Sequence, residues 1–210
     1  MLKIFNYIMT DIKTIFQNKM FLKYFFMVYG IFIICLIIGL YIGHTNETST
    51  LIVKNYVTNY TSYSLVSTFN DGGIVEIISI CVNNSIAFIY MFIMGCIIFD
   101  KRIIIGLFGL QTLLLGIVVG GFISKFGILP IICGILPHGI FEITAICMAI
   151  SYGIVIHIKD FKNDNFKIGD IKTVLKKEFK FVIFGLSLIG VAAIVEVLIS
   201  TQIIIMLIPK

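Results

Sequence analysis

Apolar residues dominate five stretches of the chain, at about 21–43, 80–99, 103–123, 128–156 and 181–208, broken by short polar or charged intervals. A helix rises about 1.5 Å per residue, so about twenty apolar residues match the roughly 30 Å hydrocarbon core of a bilayer. Each stretch is long enough to cross. The flanks read differently. At 1–20, Ile4, Ile8, Ile12, Ile15 and Phe16 recur at helical spacing with Lys3, Asp11, Lys13 and Asn18 between them, which predicts a cytoplasmic interfacial helix. Residues 44–79 are rich in Thr, Asn, Ser and Tyr and form the main extramembrane segment. The Asp71-Gly72-Gly73 turn precedes a long apolar helix from about 74 to 99, whose second half is the second span. The 21–43 stretch is too long for a signal-peptide core and has no small-x-small cleavage site after it, so it is expected to remain as the first span. The pattern predicts an all-α fold: a single polytopic transmembrane helix bundle of about five spans.

Two spans carry packing signals. In the third, Gly116 and Gly120 form a small-xxx-small pair that lets helix backbones approach closely, within the bundle or between protomers of a homo-oligomer. The fourth, 128–156, is long for one straight crossing and contains Pro130, Pro137 and Gly139. A kink, break or re-entrant turn is expected near Pro137 and Gly139.

Composition removes the soluble alternatives. Of 210 residues, 59% are apolar and 13% charged, with a mean hydropathy of +1.08, whereas soluble domains carry about a quarter charged residues. The net charge of +5 sits in clusters at 1–23 and 159–180 rather than on an aromatic-interleaved basic surface, so topology explains it better than nucleic acid does. Positive residues favour the cytoplasmic side, which places 1–20, 100–102 and 157–180 inside and 44–79 and the C-terminus outside a cell membrane. Only Lys125 is at odds with that arrangement. Ile168, Ile171, Leu175 and Phe179 alternate with Lys172, Lys176, Lys177 and Lys180 as an amphipathic helix, read first as a lipid-facing anchor. The isolated cysteines Cys35, Cys81, Cys96, Cys133 and Cys147 read as small hydrophobes, and the absence of a glycine-rich phosphate loop argues against an ATPase.

The residues that need a reason in lipid are Glu142 and Glu196, since an unpaired carboxylate inside a span costs several kcal/mol, roughly. His138 lies four residues before Glu142, on the same helical face. Counted at 1.5 Å per residue from the span ends, His138, Glu142, Glu196, Asn83 and Asn84 all fall near mid-bilayer and are expected to converge there as one polar cluster. Three readings stand: a structural hydrogen-bond network, a polar path or proton-coupled switch, and a metal or hydrolytic site, which a His-x-x-x-Glu pair begins but does not complete. The first is preferred, so no catalytic residue, metal or cofactor is expected.

At ILPHGIFEITAICMAISYGI, residues 135–154, the sequence resembles the stage II sporulation protein M family, marked by Pro-His-Gly-x-x-Glu followed by small residues. Pro137, His138, Gly139, Glu142, Ala145 and Gly153 fit. Asn83-Asn84 before Gly95 and the Ala-Ile-Val-Glu stretch ending at Glu196 agree, giving a match over about 75–205, while Gln111 departs from the Asn-Gly pair expected in the third span. The resemblance implies a non-enzymatic component of a multiprotein membrane complex. In spore-forming bacteria that role is engulfment, acting with peptidoglycan-degrading, cell-wall-remodelling partners. Other relatives sit beside ABC-type ATPases in peptide or bacteriocin export or immunity, which would make this chain a permease-like subunit docking a cytoplasmic ATPase. An intramembrane metalloenzyme is the third reading. Membrane lipids are the remaining expected partner.

Overall fold

The computed structural model describes residues 2–46, 73–98, 100–160 and 170–207. These are helical, with no strand among them: α1 (Leu2–Gln17), α2 (Lys19–Thr45), α3 (Ile74–Ile97), α4 (Lys101–Phe126), α5 (Leu129–Gly134), α6 (Leu136–Asp160), α7 (Asp170–Lys177) and α8 (Phe179–Val195). A π-helical turn (Glu196–Ser200) and α9 (Thr201–Leu207) continue α8. Five of the described helices are long and apolar enough to cross a membrane: α2, α3, α4, α6, and α8 with its continuation to Ile203. The expected five-span bundle is therefore present.

Local chemistry sets the boundaries. Asn18 separates α1 from α2 and caps α2, its side chain accepting hydrogen bonds from the Met20 and Phe21 backbone N–H groups at 3.0 and 3.4 Å. Asp100 does the same for α4, accepting from the Arg102 N–H at 2.9 Å. The Arg102 guanidinium, also bound to Asp100, holds that carboxyl below the usual carboxylate range. Helix α3 begins at Ile74, where the long apolar helix is expected to start, and it is apolar enough to cross from that residue on, so the last residues of the 44–79 segment already belong to a span. One boundary differs from expectation. The fourth apolar stretch is two helices, α5 and α6, and its crossing helix begins at Leu136 rather than 128. The break lies at Ile135, just ahead of Pro137 and Gly139, which occupy the first turns of α6. Pro137 has no N–H to give the Cys133 carbonyl and its ring crowds that group, so the ladder of α5 cannot run on into α6.

The spans pack as two parallel pairs, α2 with α4 and α3 with α6, and α8 lies against α6. Helices α2 and α4 meet at Gly39 and Gly43 on one side and Gly116 and Gly120 on the other. A Cβ on Gly116 would come within 2.6 Å of the Leu36 carbonyl oxygen, and one on Gly43 would run into the Ile117 carbonyl. Of these, Gly39 and Gly43 were not singled out in the sequence, although their spacing is the same. Helices α3 and α6 repeat the device, a Cβ on Gly95 falling 2.9 Å from the Ile150 carbonyl oxygen, with Gly153 opposite. Helix α6 is the hub: Ala145 through Ser151 are all buried, and its small residues let α2, α3 and α8 close around it. Phe88, Phe92 and Phe181 pack beside Tyr152, whose ring centroid lies 4.3 Å from that of Phe181. The outward faces of α2, α3 and α4 expose Ile34, Ile37, Val82, Ile86, Leu110 and Leu114, as lipid contact requires.

One end of the bundle gathers the basic segments. Asp11 of α1 pairs with Lys180 of α8, Lys101 Nζ donates to Tyr24 Oη at 3.1 Å, Tyr152 Oη donates to Glu178 at 2.7 Å, and His157 Nδ1 lies 2.7 Å from the Cys96 carbonyl oxygen. Helix α7 docks here. Val174 is buried and Leu175 packs against the core, so this face turns to the bundle rather than to lipid, while Lys172, Lys176 and Lys177 stay exposed. Ile168 lies outside the described residues, and Phe179 is exposed. None of the five cysteines forms a disulfide. Because α9 packs on α5 at the other end, the first and last described helices, α1 and α9, lie at opposite ends, as an odd number of crossings demands.

The glycine contacts make a direct prediction. Gly43→Val should destabilise the bundle by about 1–3 kcal/mol, since the added side chain meets backbone that cannot rotate away. Gly106→Ala, with open space around it, should stay within about 0.5 kcal/mol of wild type. Thermal unfolding of both variants in detergent checks the pair.

Candidate functional site

The first two turns of α6 carry Pro137, His138, Gly139 and Glu142. Pro137 suits a helix start because an N–H there would have no intrahelical acceptor, and the Gly139 N–H reaches back to the Ile135 carbonyl oxygen at 3.0 Å. Spacing of four puts His138 and Glu142 on one face. The third member comes from the far end of the chain. Glu196 opens the π-helical turn that interrupts the last span, and Thr201 maintains that turn: its backbone N–H and its hydroxyl both donate to the Glu196 carbonyl oxygen, the hydroxyl at 2.9 Å.

One donor atom each from His138, Glu142 and Glu196 lies within 4.8 Å of the other two. All three residues are half-buried. The buried Ser200, at the end of the π turn, places its Oγ 2.9 Å from His138 Nδ1. Glu76, in the first turn of α3, faces Glu196 electrostatically together with Glu142, and its Oε2 is buried with no hydrogen-bond partner among the described residues. Gly73 and the buried Val197 pack beside it, fixing the start of α3 against the π turn. The site therefore joins three spans, with an imidazole, three carboxylates and a hydroxyl.

Two expectations change with this geometry. The cluster lies about 3–9 Å from the start of α6, not half-way along a span, because the residues before Leu136 form the separate helix α5. Asn83 and Asn84 do not join it: they stand about 10–12 Å further along α3 than Glu76, Asn83 exposed and Asn84 half-buried, with no hydrogen bond to these side chains among the described residues. Gly116 and Gly120 lie in the α2–α4 contact, away from the site.

Glu76 and Ser200 are the members that sequence reasoning missed. Glu76 falls within the 44–79 segment expected to be extramembrane, although it is only two residues into the apolar run that begins at Ile74. A serine in an apolar span gives no comparable signal, and Ser200 acquires its meaning from the π turn. Chemically, the arrangement can take up a cation, hold a proton between carboxylates, or tie three helices together by hydrogen bonds. The ion pairs Asp100–Arg102 and Asp11–Lys180 lie at the opposite end of the bundle. Ser200→Ala, which removes the hydroxyl that meets His138 Nδ1, should cost about 1 kcal/mol, and Asn83→Ala less than about 0.5 kcal/mol. Unfolding midpoints of the two variants in detergent test this difference.

Comparison with known proteins adds the family. Residues 26–201 match the family model described as Stage II sporulation protein M, a region that includes all of α6 and reaches beyond Glu196. No curated protein and no solved structure matches the chain. With five long apolar helices and a match across most of its length, this membrane protein belongs to the stage II sporulation protein M family.

Proposed function

We propose that the chain is a non-enzymatic, multi-pass component of a membrane complex that anchors or assembles a peptidoglycan-remodelling machine of the engulfment type. The observation that carries this reading is the Pro-His-Gly-x-x-Glu segment, which lies inside the family match and forms the start of the central helix. A rigid bundle with such a helix at its centre can hold partners at both ends in fixed register, which is what a scaffold supplies. Its N-terminus is cytoplasmic and its C-terminus extracytoplasmic. In support, Lys13, Lys19, Lys23, Lys101, Arg102, Lys159, Lys172, Lys176, Lys177 and Lys180 belong to one end of the bundle, as the positive-inside rule favours.

A second reading has an observation of its own. Helices α1 and α7 and the exposed Lys172, Lys176 and Lys177 form a basic face at that same end, a surface on which a cytoplasmic ABC-type ATPase of an export or immunity system would dock. Affinity purification of the tagged chain from its own membranes separates the two. Cell-wall hydrolases in the eluate support the scaffold; a co-purifying ATPase in their place overturns it and supports export. Glu142→Gln and His138→Ala add a second criterion. If both variants fold and support engulfment at the wild-type level, the cluster has no essential chemical role. For the orientation, a reporter active only outside the cytoplasm should be active when fused after residue 210 and silent when fused before residue 1; the reverse pattern overturns it.

A further inference from the structure

We infer that His138, Glu142 and Glu196 form a binding site for one divalent transition-metal ion of the zinc type, which ties the last span to the start of α6. In the sequence only the His138–Glu142 pair was visible, and two donors do not make a site. The π turn supplies the third: donor atoms of all three residues gather within 4.8 Å of one another. Tetrahedral coordination at about 2.1 Å sets donors about 3.4 Å apart, so closing on an ion needs side-chain shifts of about an ångström at most positions, within the reach of Glu and His rotamers.

Charge and donor type point the same way. Two carboxylates and a neutral imidazole balance a dication, and the ion pairs seen among the described residues lie at the other end of the bundle. One nitrogen with two oxygens suits zinc and its first-row neighbours, whereas calcium and magnesium favour oxygen alone. The surroundings match a metal site too. Ser200 Oγ engages His138 Nδ1 at 2.9 Å, which orients the ring and leaves Nε2 as the nitrogen for the ion, the usual second partner of a ligating histidine. Glu76, whose buried Oε2 has no hydrogen-bond partner among the described residues and which faces Glu196, stands beside the site as a fourth donor, its third oxygen, or as the acceptor for a bound water. Among the described residues no lysine or arginine forms an ion pair with these acids, so the ion would supply the neutralising charge. This inference does not depend on which partner the bundle assembles with.

The test is metal binding by the purified full chain in nanodiscs, stripped with chelator and titrated with Co²⁺ as a visible-absorption probe and Zn²⁺ as competitor. Wild type should take up one Co²⁺ per chain, release it to Zn²⁺, and show a higher Tm with Zn²⁺ bound. Glu196→Gln and His138→Ala should lose stoichiometric uptake and the Tm shift, Ser200→Ala should bind about 10–100-fold more weakly, and Asn83→Ala should match wild type. The inference is overturned if wild type takes up no Co²⁺, if uptake persists undiminished in Glu196→Gln and His138→Ala, or if Ca²⁺ or Mg²⁺ displaces Zn²⁺. The wild-type titration decides the matter even where a variant fails to fold, and co-purification of partners can fail without touching it.

Discussion

Close backbone contact between helices is the constraint on which the rest of this structure depends. Lipid tails are as apolar as leucine, so the hydrophobic effect that drives a soluble core does little to bring spans together once they are inserted. What remains is packing, and packing is strongest where two backbones touch. Gly39 and Gly43 against Gly116 and Gly120, and Gly95 against Gly153, provide that contact in two parallel pairs. Each glycine presents its Cα to a neighbouring carbonyl at a distance no side chain would permit. Around these seams the larger residues arrange themselves, with Phe88 laid over Gly185 and the aromatic group about Tyr152 filling the basic end of the bundle.

The polar site follows from two interruptions of otherwise regular helices. Pro137 forces the fourth apolar stretch to restart, which brings His138 and Glu142 close to the end of the bundle. The π turn at Glu196–Ser200 widens the last span so that Glu196 and Ser200 both turn toward the α6 start. Either interruption alone would leave a lone acid or histidine among apolar side chains, each costing several kcal/mol, roughly. Together they make one group of mutually compatible donors and acceptors.

The two ends of the molecule have different characters. At the basic end, α1 and α7 are held by specific contacts, the Asp11–Lys180 pair and the buried Val174, and the lysines of α7 lie on its exposed face. At the other end, the short helix α5 packs on α9 beside the His138 site. A scaffold reading uses both ends, and the family match joins them through α6, the helix that runs from one to the other.

The sequence by itself determined the solvent and the crossings. Apolar length against bilayer thickness is a one-dimensional measure, as are charge asymmetry and the Pro-His-Gly-x-x-Glu segment, so five spans, the break near Pro137 and the His138–Glu142 face were all legible along the chain. Tertiary structure decided which distant groups meet. Depth counting put Asn83 and Asn84 level with Glu142 because it assumed an unbroken helix from 128. The restart at Leu136 moved His138 and Glu142 by about two turns and left the asparagines behind. Glu76 and Ser200 took their place through the register of α3 and the extra residue of the π turn. Neither leaves a periodic trace, because a π turn depends on a local hydrogen-bond choice at Thr201, and a helix's rotation about its axis is set by the neighbours it packs against.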